Sequence, residues 1–133
     1  MKRLVATFLI FILIFGSISA HAASIDNVQI CADIWVAASN TYLSSEGTAQ
    51  FFISLQDVAN KIYISNCTLQ IKVDGSWKSA GSIDTPPEVY YNVNSYATQY
   101  NYSAYLIDGT YRIVVTYNID GHTKSCTSNS VSY

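Results

Sequence analysis

The sequence predicts an all-β fold, an antiparallel sandwich of seven or eight short strands. Turn-forming residues recur at intervals of ~8–12 residues, which is the strand spacing of a sandwich or barrel. No segment after residue 22 has the apolar spacing of an amphipathic helix. Only 12% of the residues are charged, whereas 11 are tyrosine and many are Ser, Thr or Asn, a composition typical of extracellular β-proteins. A sandwich is favoured over a barrel because the terminal strands resemble ordinary sheet edges, whose Ser, Thr and Lys residues oppose edge-to-edge aggregation.

The first 22 residues have the features of a signal peptide. Lys2 and Arg3 form a basic start, and residues 4–15 are almost wholly apolar. This apolar run is shorter than the ~20 residues that a transmembrane helix needs. Ala20-His21-Ala22 matches the small-x-small pattern that signal peptidase reads. We therefore expect cleavage after Ala22 and a secreted chain that is not inserted in a membrane, with an uncleaved anchor as the alternative.

The mature chain, residues 23–133, is expected to form a single β-sandwich domain. It is long enough to close a modest core. Removal of Lys2 and Arg3 leaves five basic residues against nine acidic ones, and the basic residues are scattered along the sequence. Binding to nucleic acid or to an anionic membrane requires a basic patch that releases counterions. Neither is expected as a partner.

The N-terminal half is predicted to contain two strands separated by a loop. Alternation of apolar residues predicts a strand over residues 25–37 and another over residues 48–56. Residues 38–47 are polar and rich in turn formers, which indicates a loop. Residues 57–61 have room for one helical turn and nothing longer.

The middle of the chain is predicted to hold the longest strand, over residues 62–73, followed by a hairpin. Four residues of this strand share the inward face, namely Cys67, Leu69, Ile71 and Val73. Asp74-Gly75 readily takes the positive φ angles of a tight turn, and residues 76–83 return as a short strand. Two prolines end that strand, and residues 89–106 form one or two further strands rich in tyrosine.

Residues 109–131 predict a second hairpin, which ends the domain. The run before the Asp120-Gly121 turn alternates strictly, as in a strand with one buried face. Its inward residues are Tyr111, Ile113, Val115, Tyr117 and Ile119. The run after the turn is rich in Ser and Thr and only weakly apolar, which suits a terminal strand.

The segments CTLQIKVDGSWKSAGSI and GTYRIVVTYNIDGHTKSCTSNS resemble a set of small secreted proteins from Gram-positive bacteria, largely of unassigned function. In that set an LQ-x-K strand leads to a G-x-W turn and, later in the chain, to a G-T-Y-R-V strand. The matching residues here are Leu69, Gln70, Lys72, Gly75, Trp77, Gly109, Tyr111 and Arg112. The resemblance covers most of residues 48–131 and implies an immunoglobulin-like sandwich. It brings no catalytic residues with it.

Three cysteines follow the cleavage point, and in an oxidising compartment two of them can pair. Cys67 is predicted to point into the core, where a lone thiol packs as a small apolar group. Cys31 and Cys126 lie in the first and last predicted strands, which often run side by side at one edge of an immunoglobulin-like sandwich. The expected disulfide is therefore Cys31–Cys126 with Cys67 free, while the pairings Cys31–Cys67 and Cys67–Cys126 remain the alternatives.

The sequence offers little for catalysis or metal binding. His122 is the single mature histidine and directly follows a hairpin turn, with no nucleophile motif beside it. The glutamates fall in predicted loops and the aspartates mostly mark turns, so no carboxylate pair for glycoside hydrolysis is indicated. The cysteines lack the spacing of zinc ligands. We expect neither an enzyme nor a bound metal or cofactor.

The aromatic residues provide the main candidate for a binding surface. Tyr96, Tyr100 and Tyr102 share one parity, and with Trp77 they could form an exposed platform that stacks on sugar rings. The alternative is that the tyrosines belong to the core, because tyrosine often fills sandwich interiors. Two functions follow: a secreted non-catalytic interaction or structural module, acting on a protein or surface partner at or near the bacterial cell surface, or a carbohydrate-binding module. Exposure of these rings discriminates between them.

Overall fold

The computed structural model describes residues 36–133, and this part of the chain is all-β and antiparallel, as predicted. The strands are β1 (Val36–Leu43), β2 (Thr48–Val73), β3 (Ser76–Ile83), β4 (Val89–Asn101), β5 (Thr110–Ile119), β6 (His122–Thr127) and β7 (Val131–Ser132). Within these residues the helical structure is limited to one 3-10 turn, Ser103–Tyr105. A helix with the length and apolar character needed to cross a bilayer does not occur between residues 36 and 133.

β2 is the strand around which the sheet is built. Its first half pairs with β1 along one edge and with β4 along the other. Its second half pairs with β5 and β3, and β5 pairs in turn with β6 and β7. The seven strands therefore belong to one antiparallel sheet, which curls around the core like half a barrel.

Two irregularities allow β2 to bend around the core. Its register shifts between Ser54 and Ala59 and again between Ile64 and Asn66, and such bulges bend and twist a strand. The inward residues change parity along β2, from Ala49, Phe51, Ile53, Leu55 and Ala59 to Ile62 and Ile64, and then to Cys67 and Leu69.

Residues 57–61, which have room for one helical turn, instead continue β2 as a strand. The carboxylate of Asp120 in the distant β5–β6 turn accepts the backbone N–H of Lys61 at 2.8 Å and that of Asn60 at 3.1 Å. Ala59 and Lys61 also pair with β4. Contacts with other parts of the chain thus hold this polar segment in an extended conformation.

The prediction of a loop over residues 38–47 is wrong for its first part, since β1 runs to Leu43. Thr41 and Leu43 are buried at 1% and 0% exposure and alternate with exposed Tyr42. Pairing with β2 supplies the regularity that the polar sequence lacks. Most of the first predicted strand, residues 25–35, lies outside the described residues.

Both Asp-Gly hairpins are confirmed. Asp74 and Gly75 have φ angles of 51° and 78°, and Asp120 and Gly121 have 50° and 86°. Two successive positive φ angles define the type I′ turn, whose twist matches that of the flanking strands. The five inward residues predicted for β5 are all buried. In β2 the inward assignment holds for Cys67 and Leu69, whereas Val73, next to the turn, is 36% exposed.

The Ser128–Asn129 segment interrupts the C-terminal strand and joins β5 to β1. Ser128 accepts the Ile113 N–H through its hydroxyl and donates its own N–H to the Ile113 carbonyl, both at 2.9 Å. The Asn129 amide accepts the Leu43 N–H at 2.8 Å and donates to the Leu43 carbonyl at 2.9 Å. Asn129 is only 8% exposed. Because its amide bonds both backbone groups of Leu43, it takes the place of a neighbouring strand there.

Candidate binding site

The expected tyrosine platform is corrected by the burial of two of its rings. Tyr96 and Tyr102 are both 0% exposed. Tyr96 lies opposite Ile53, an inward residue of β2. Tyr102 donates its hydroxyl proton to the Asp84 carbonyl at 2.7 Å, and its ring meets Phe51 edge-on, with centroids 6.4 Å apart. These two tyrosines therefore belong to the core and are not accessible to a ligand.

Tyr100 and Trp77 complete the expected platform, but they lie on different faces of the sheet. Tyr100 is half-buried opposite Ala49, on the core side, with its ring centroid 4.9 Å from that of Tyr102. Trp77 lies opposite Lys72, near the other end of β2 and on the outer face. The tyrosine stripe that sequence parity identified therefore faces inward, and of the expected platform only Trp77 remains available at a surface.

The expected disulfide involves a residue outside the described part of the chain, Cys31, so the Cys31–Cys126 bridge stays a prediction. Cys67 is free and buried, as expected. Cys67 and Cys126 both lie opposite Val115, one on each side of it. Two strand spacings separate their Cα atoms by ~9–10 Å, beyond the ~7 Å that a disulfide spans. The Cys67–Cys126 alternative would therefore require movement of β5.

The core contains a group of buried ionisable side chains around Cys67. Burial raises the pKa of the Cys67 thiol from 9.0 to about 11, partly offset by its hydrogen bond with the Tyr102 hydroxyl at 3.6 Å. Burial also raises the pKa values of Tyr96, Tyr102 and Tyr117 above their ordinary value of 10.0. These groups remain neutral in the folded protein under conditions that ionise them in the unfolded chain.

We expect the protein to lose stability in alkaline solution. Because the folded-state pKa values are raised, the contribution of these groups is complete below about pH 9 and is lost as the pH rises from there through the folded-state values. Urea unfolding between pH 7 and pH 11 should show a midpoint that falls above pH 9. Tyr117→Phe, which removes one such group from the core, should make this fall shallower. A midpoint independent of pH, or rapid labelling of Cys67 in the folded protein at pH 8, would contradict the assignment.

His122 is exposed at the first residue of β6. No group of three or more His, Cys, Asp or Glu residues suited to a metal ion occurs in residues 36–133. A surface concavity that combines several functional side chains lies around Trp77.

This concavity, the Trp77 site, is lined by Lys72, Trp77, Arg112, Ser128 and Ser130, and its volume is about 80 Å³. Strand register explains its construction. Trp77 of β3 lies opposite Lys72 of β2, and Arg112 of β5 lies opposite Gln70, two residues away on β2. Gln70 and Lys72 alternate with the inward residues of β2, so all four side chains emerge on the outer face.

Two positively charged side chains lie over the Trp77 ring. The Cζ atom of Arg112 is 4.3 Å from the ring centroid, and the Nζ atom of Lys72 is 5.9 Å away. Cations at such distances are attracted to the negative face of an indole. Arg112 also donates through Nε to the Gln70 Oε1 atom at 2.7 Å. Partial burial lowers the pKa of Arg112 from its ordinary value, and no acidic side chain among residues 36–133 forms an ion pair with it to offset this effect.

The residues of this site lie in the motifs described from the sequence. The sequence does not show that they are neighbours in the fold. Gln70, Lys72, Trp77 and Arg112 all lie in the two segments CTLQIKVDGSWKSAGSI and GTYRIVVTYNIDGHTKSCTSNS. Sequence reasoning assigned Trp77 to a platform with distant tyrosines and gave no role to Arg112. The alternation of β2 and β5 placed Gln70 and Arg112 outward, and only the strand pairing reveals that they are neighbours.

No known protein family, curated protein or solved structure matches this chain.

Proposed function

We propose that the chain is a secreted, non-catalytic interaction module that acts at or near the bacterial cell surface and binds its partner through the Trp77 site. The proposal includes removal of residues 1–22 as a signal peptide and a relationship to immunoglobulin-like sandwiches. It rests on the sequence features of a secreted protein and on the character of the outer face of the sheet. The partner is a protein or another component of the surface.

The observation that carries the proposal is the unpaired positive charge at the Trp77 site. Lys72 and Arg112 lie over one indole ring, and neither forms an ion pair with another residue of the described chain. Trp and Arg are enriched among the residues that dominate protein interfaces. Their position on paired strands, rather than on a loop, holds them in place before a partner arrives.

A binding role also agrees with the chemistry of the site. Its lining contains no histidine, cysteine or carboxylate that could act as a general base or nucleophile. Its functional groups are hydrogen-bond donors, two fixed charges and an aromatic ring. Groups of these kinds are suited to recognising a ligand.

We expect the purified secreted protein to be retained by cell-envelope preparations from the producing organism. Retention should fall about tenfold or more in a Trp77→Ala/Arg112→Gln variant, because truncation of a central Trp or Arg commonly costs about 2 kcal/mol or more. Sedimentation of labelled protein with the envelopes measures this. The matched control is Lys78→Gln, which removes an exposed lysine that lies opposite Ile71, on the other face of the sheet from Trp77. Equal retention of all three proteins would exclude the Trp77 site as the binding surface.

Carbohydrate binding remains a second candidate, now favoured by a different set of aromatic residues. Tyr91 is 60% exposed and lies opposite Lys61. Tyr63, opposite Val89, presents a second ring beside Lys61. Exposed rings of this kind stack on sugars. A glycan array on which binding is lost with Tyr91→Ala and kept with Trp77→Ala would favour this second function over the first.

A further inference from the structure

We propose that the Trp77 site binds an oxyanion, that is, a carboxylate, sulfate or phosphate group carried by a larger ligand. This inference specifies the ligand chemistry of the proposed interaction site and rests on that proposal. The Arg112 guanidinium, the Lys72 ammonium and the Ser130 hydroxyl are the donors for the anion.

Two contacts fix the orientation of Arg112. Its Nε–H is committed to Gln70 Oε1 at 2.7 Å, and its planar group lies 4.3 Å from the Trp77 ring centroid. These two contacts fix the plane of the guanidinium and leave the N–H groups of its two Nη atoms without partners in residues 36–133. A guanidinium held in this way presents a fork of donors that matches the oxygens of a carboxylate or phosphate.

Other hydrogen-bond donors also lie around the concavity. The Ser128 hydroxyl is occupied, since it donates to the Asn129 carbonyl at 2.7 Å and accepts the Ile113 N–H. The Ser130 hydroxyl has no hydrogen-bond partner in the described chain and lines the same space. Lys72 provides a second positive charge on the Trp77 ring. Free donors thus surround the concavity, whereas no carboxylate lines it.

Electrostatic attraction also favours an anion beside Arg112. Partial burial of a cation without a counter-ion is unfavourable, and burial depresses the pKa of Arg112 accordingly. An incoming anion would offset this cost. Because the indole ring excludes water from one side of the guanidinium, the attraction is screened less than between fully exposed charges.

The size of the site limits what can enter it. A pocket for a whole small molecule usually measures ~300–1,000 Å³, whereas this concavity measures about 80 Å³. It accommodates one functional group of a ligand, while the rest of the ligand lies on the outer face of the sheet. The site therefore recognises a charged group on a polymer or on a protein surface.

The test is a titration of the ¹⁵N-labelled secreted protein by NMR, followed at the Trp77 indole N–H and the Arg112 Nε–H. The probes are sodium sulfate, sodium phosphate and sodium glucuronate, with sodium chloride holding the ionic strength constant. We expect saturable shifts of both signals with at least one probe. Saturation with glucuronate alone identifies an acidic sugar as the source of the anion, and saturation with phosphate or sulfate identifies an ester of that acid.

Variants decide whether Arg112 holds the anion. Arg112→Lys keeps the charge but loses the fork, and should weaken binding about tenfold. Lys72→Gln should weaken it less, and Lys78→Gln, on the other face of the sheet, should leave it unchanged. Shifts that match those produced by chloride alone, or that are unaltered in Arg112→Lys, would overturn the inference. If the probes bind normally while envelope retention is independent of the Trp77 site, the proposed function fails and the oxyanion site stands. If retention depends on the site and no probe binds, the oxyanion inference fails alone.

Discussion

Replacing Asn129 with alanine is expected to lower the free energy of unfolding by about 2–4 kcal/mol. The substitution leaves both backbone groups of Leu43 without partners in a place where Leu43 is 0% exposed. Each buried polar group left unsatisfied costs about 1–3 kcal/mol. The loss should be larger than the small area of the Asn side chain would suggest, because the amide serves as a strand partner. Urea unfolding of both proteins at pH 7 measures the difference.

Two further substitutions make this result specific. Asn129→Asp keeps an acceptor for the Leu43 N–H, but it removes the donor for the Leu43 carbonyl and buries a charge, so we expect a loss at least as large. Asn101→Ala is the matched control, because the Asn101 amide also accepts a backbone N–H, that of Ser103 at 2.8 Å, but in an exposed position. Its loss should stay below about 1 kcal/mol. Similar losses for Asn129→Ala and Asn101→Ala would mean that Asn129 does not hold β1 in the folded protein.

Replacing Ile113 with alanine is expected to destabilise the protein by about 2–4 kcal/mol, as in other large-to-small changes in a packed core. Ile113 is 0% exposed at the centre of β5, opposite Leu69. Its backbone is held on the other side by Ser128, so the strand cannot easily shift to fill the cavity. The unfolding midpoint in urea should fall with no change in the slope of the transition.

The neighbouring Val114 supplies the control for this prediction. Val114 is half-buried on the outer face of β5, between Thr68 and Thr127. Val114→Thr keeps the branched shape and adds a hydroxyl at a partly wet position, so its loss should be below about 1 kcal/mol. Equal losses at the two positions would show that the faces of β5 are assigned the wrong way round.

The residue pattern predicts which side chains of the candidate site point outward, but not that they lie together. Alternation in residues 67–73 of β2 and in β5 is regular enough that the residue pattern by itself places Gln70, Lys72 and Arg112 outward. The contact of Arg112 with Trp77 joins residues of β5 and β3, two strands separated in the sheet by β2. Since several pairings of the predicted strands are compatible with the same alternation, the sequence could not place this ring and this cation together.

The tyrosines of β4 show the same limit. Their common parity correctly grouped Tyr96 and Tyr100 on one face, but parity alone does not say whether that face is inside or outside. The face was decided by the partners on β2, since Ala49 and Ile53 are themselves inward. A half-buried Tyr63 and an exposed Tyr91 lie instead on the outer face, where β2 and β4 meet beyond a bulge.

Local features of the sequence determined the all-β class, the two Asp-Gly turns and the buried face of β5, because each depends on the conformational preferences of a few adjacent residues. The tertiary structure decided the rest. It made β1 and the polar residues 57–61 extended, bent β2 at two bulges, and placed Asn129 against Leu43, 86 residues away in the chain. The physical reason is that a β-strand, unlike a helix, leaves its backbone groups to be satisfied by distant segments. Which segments those are depends on the packing of the whole chain, and so does the site that their side chains form.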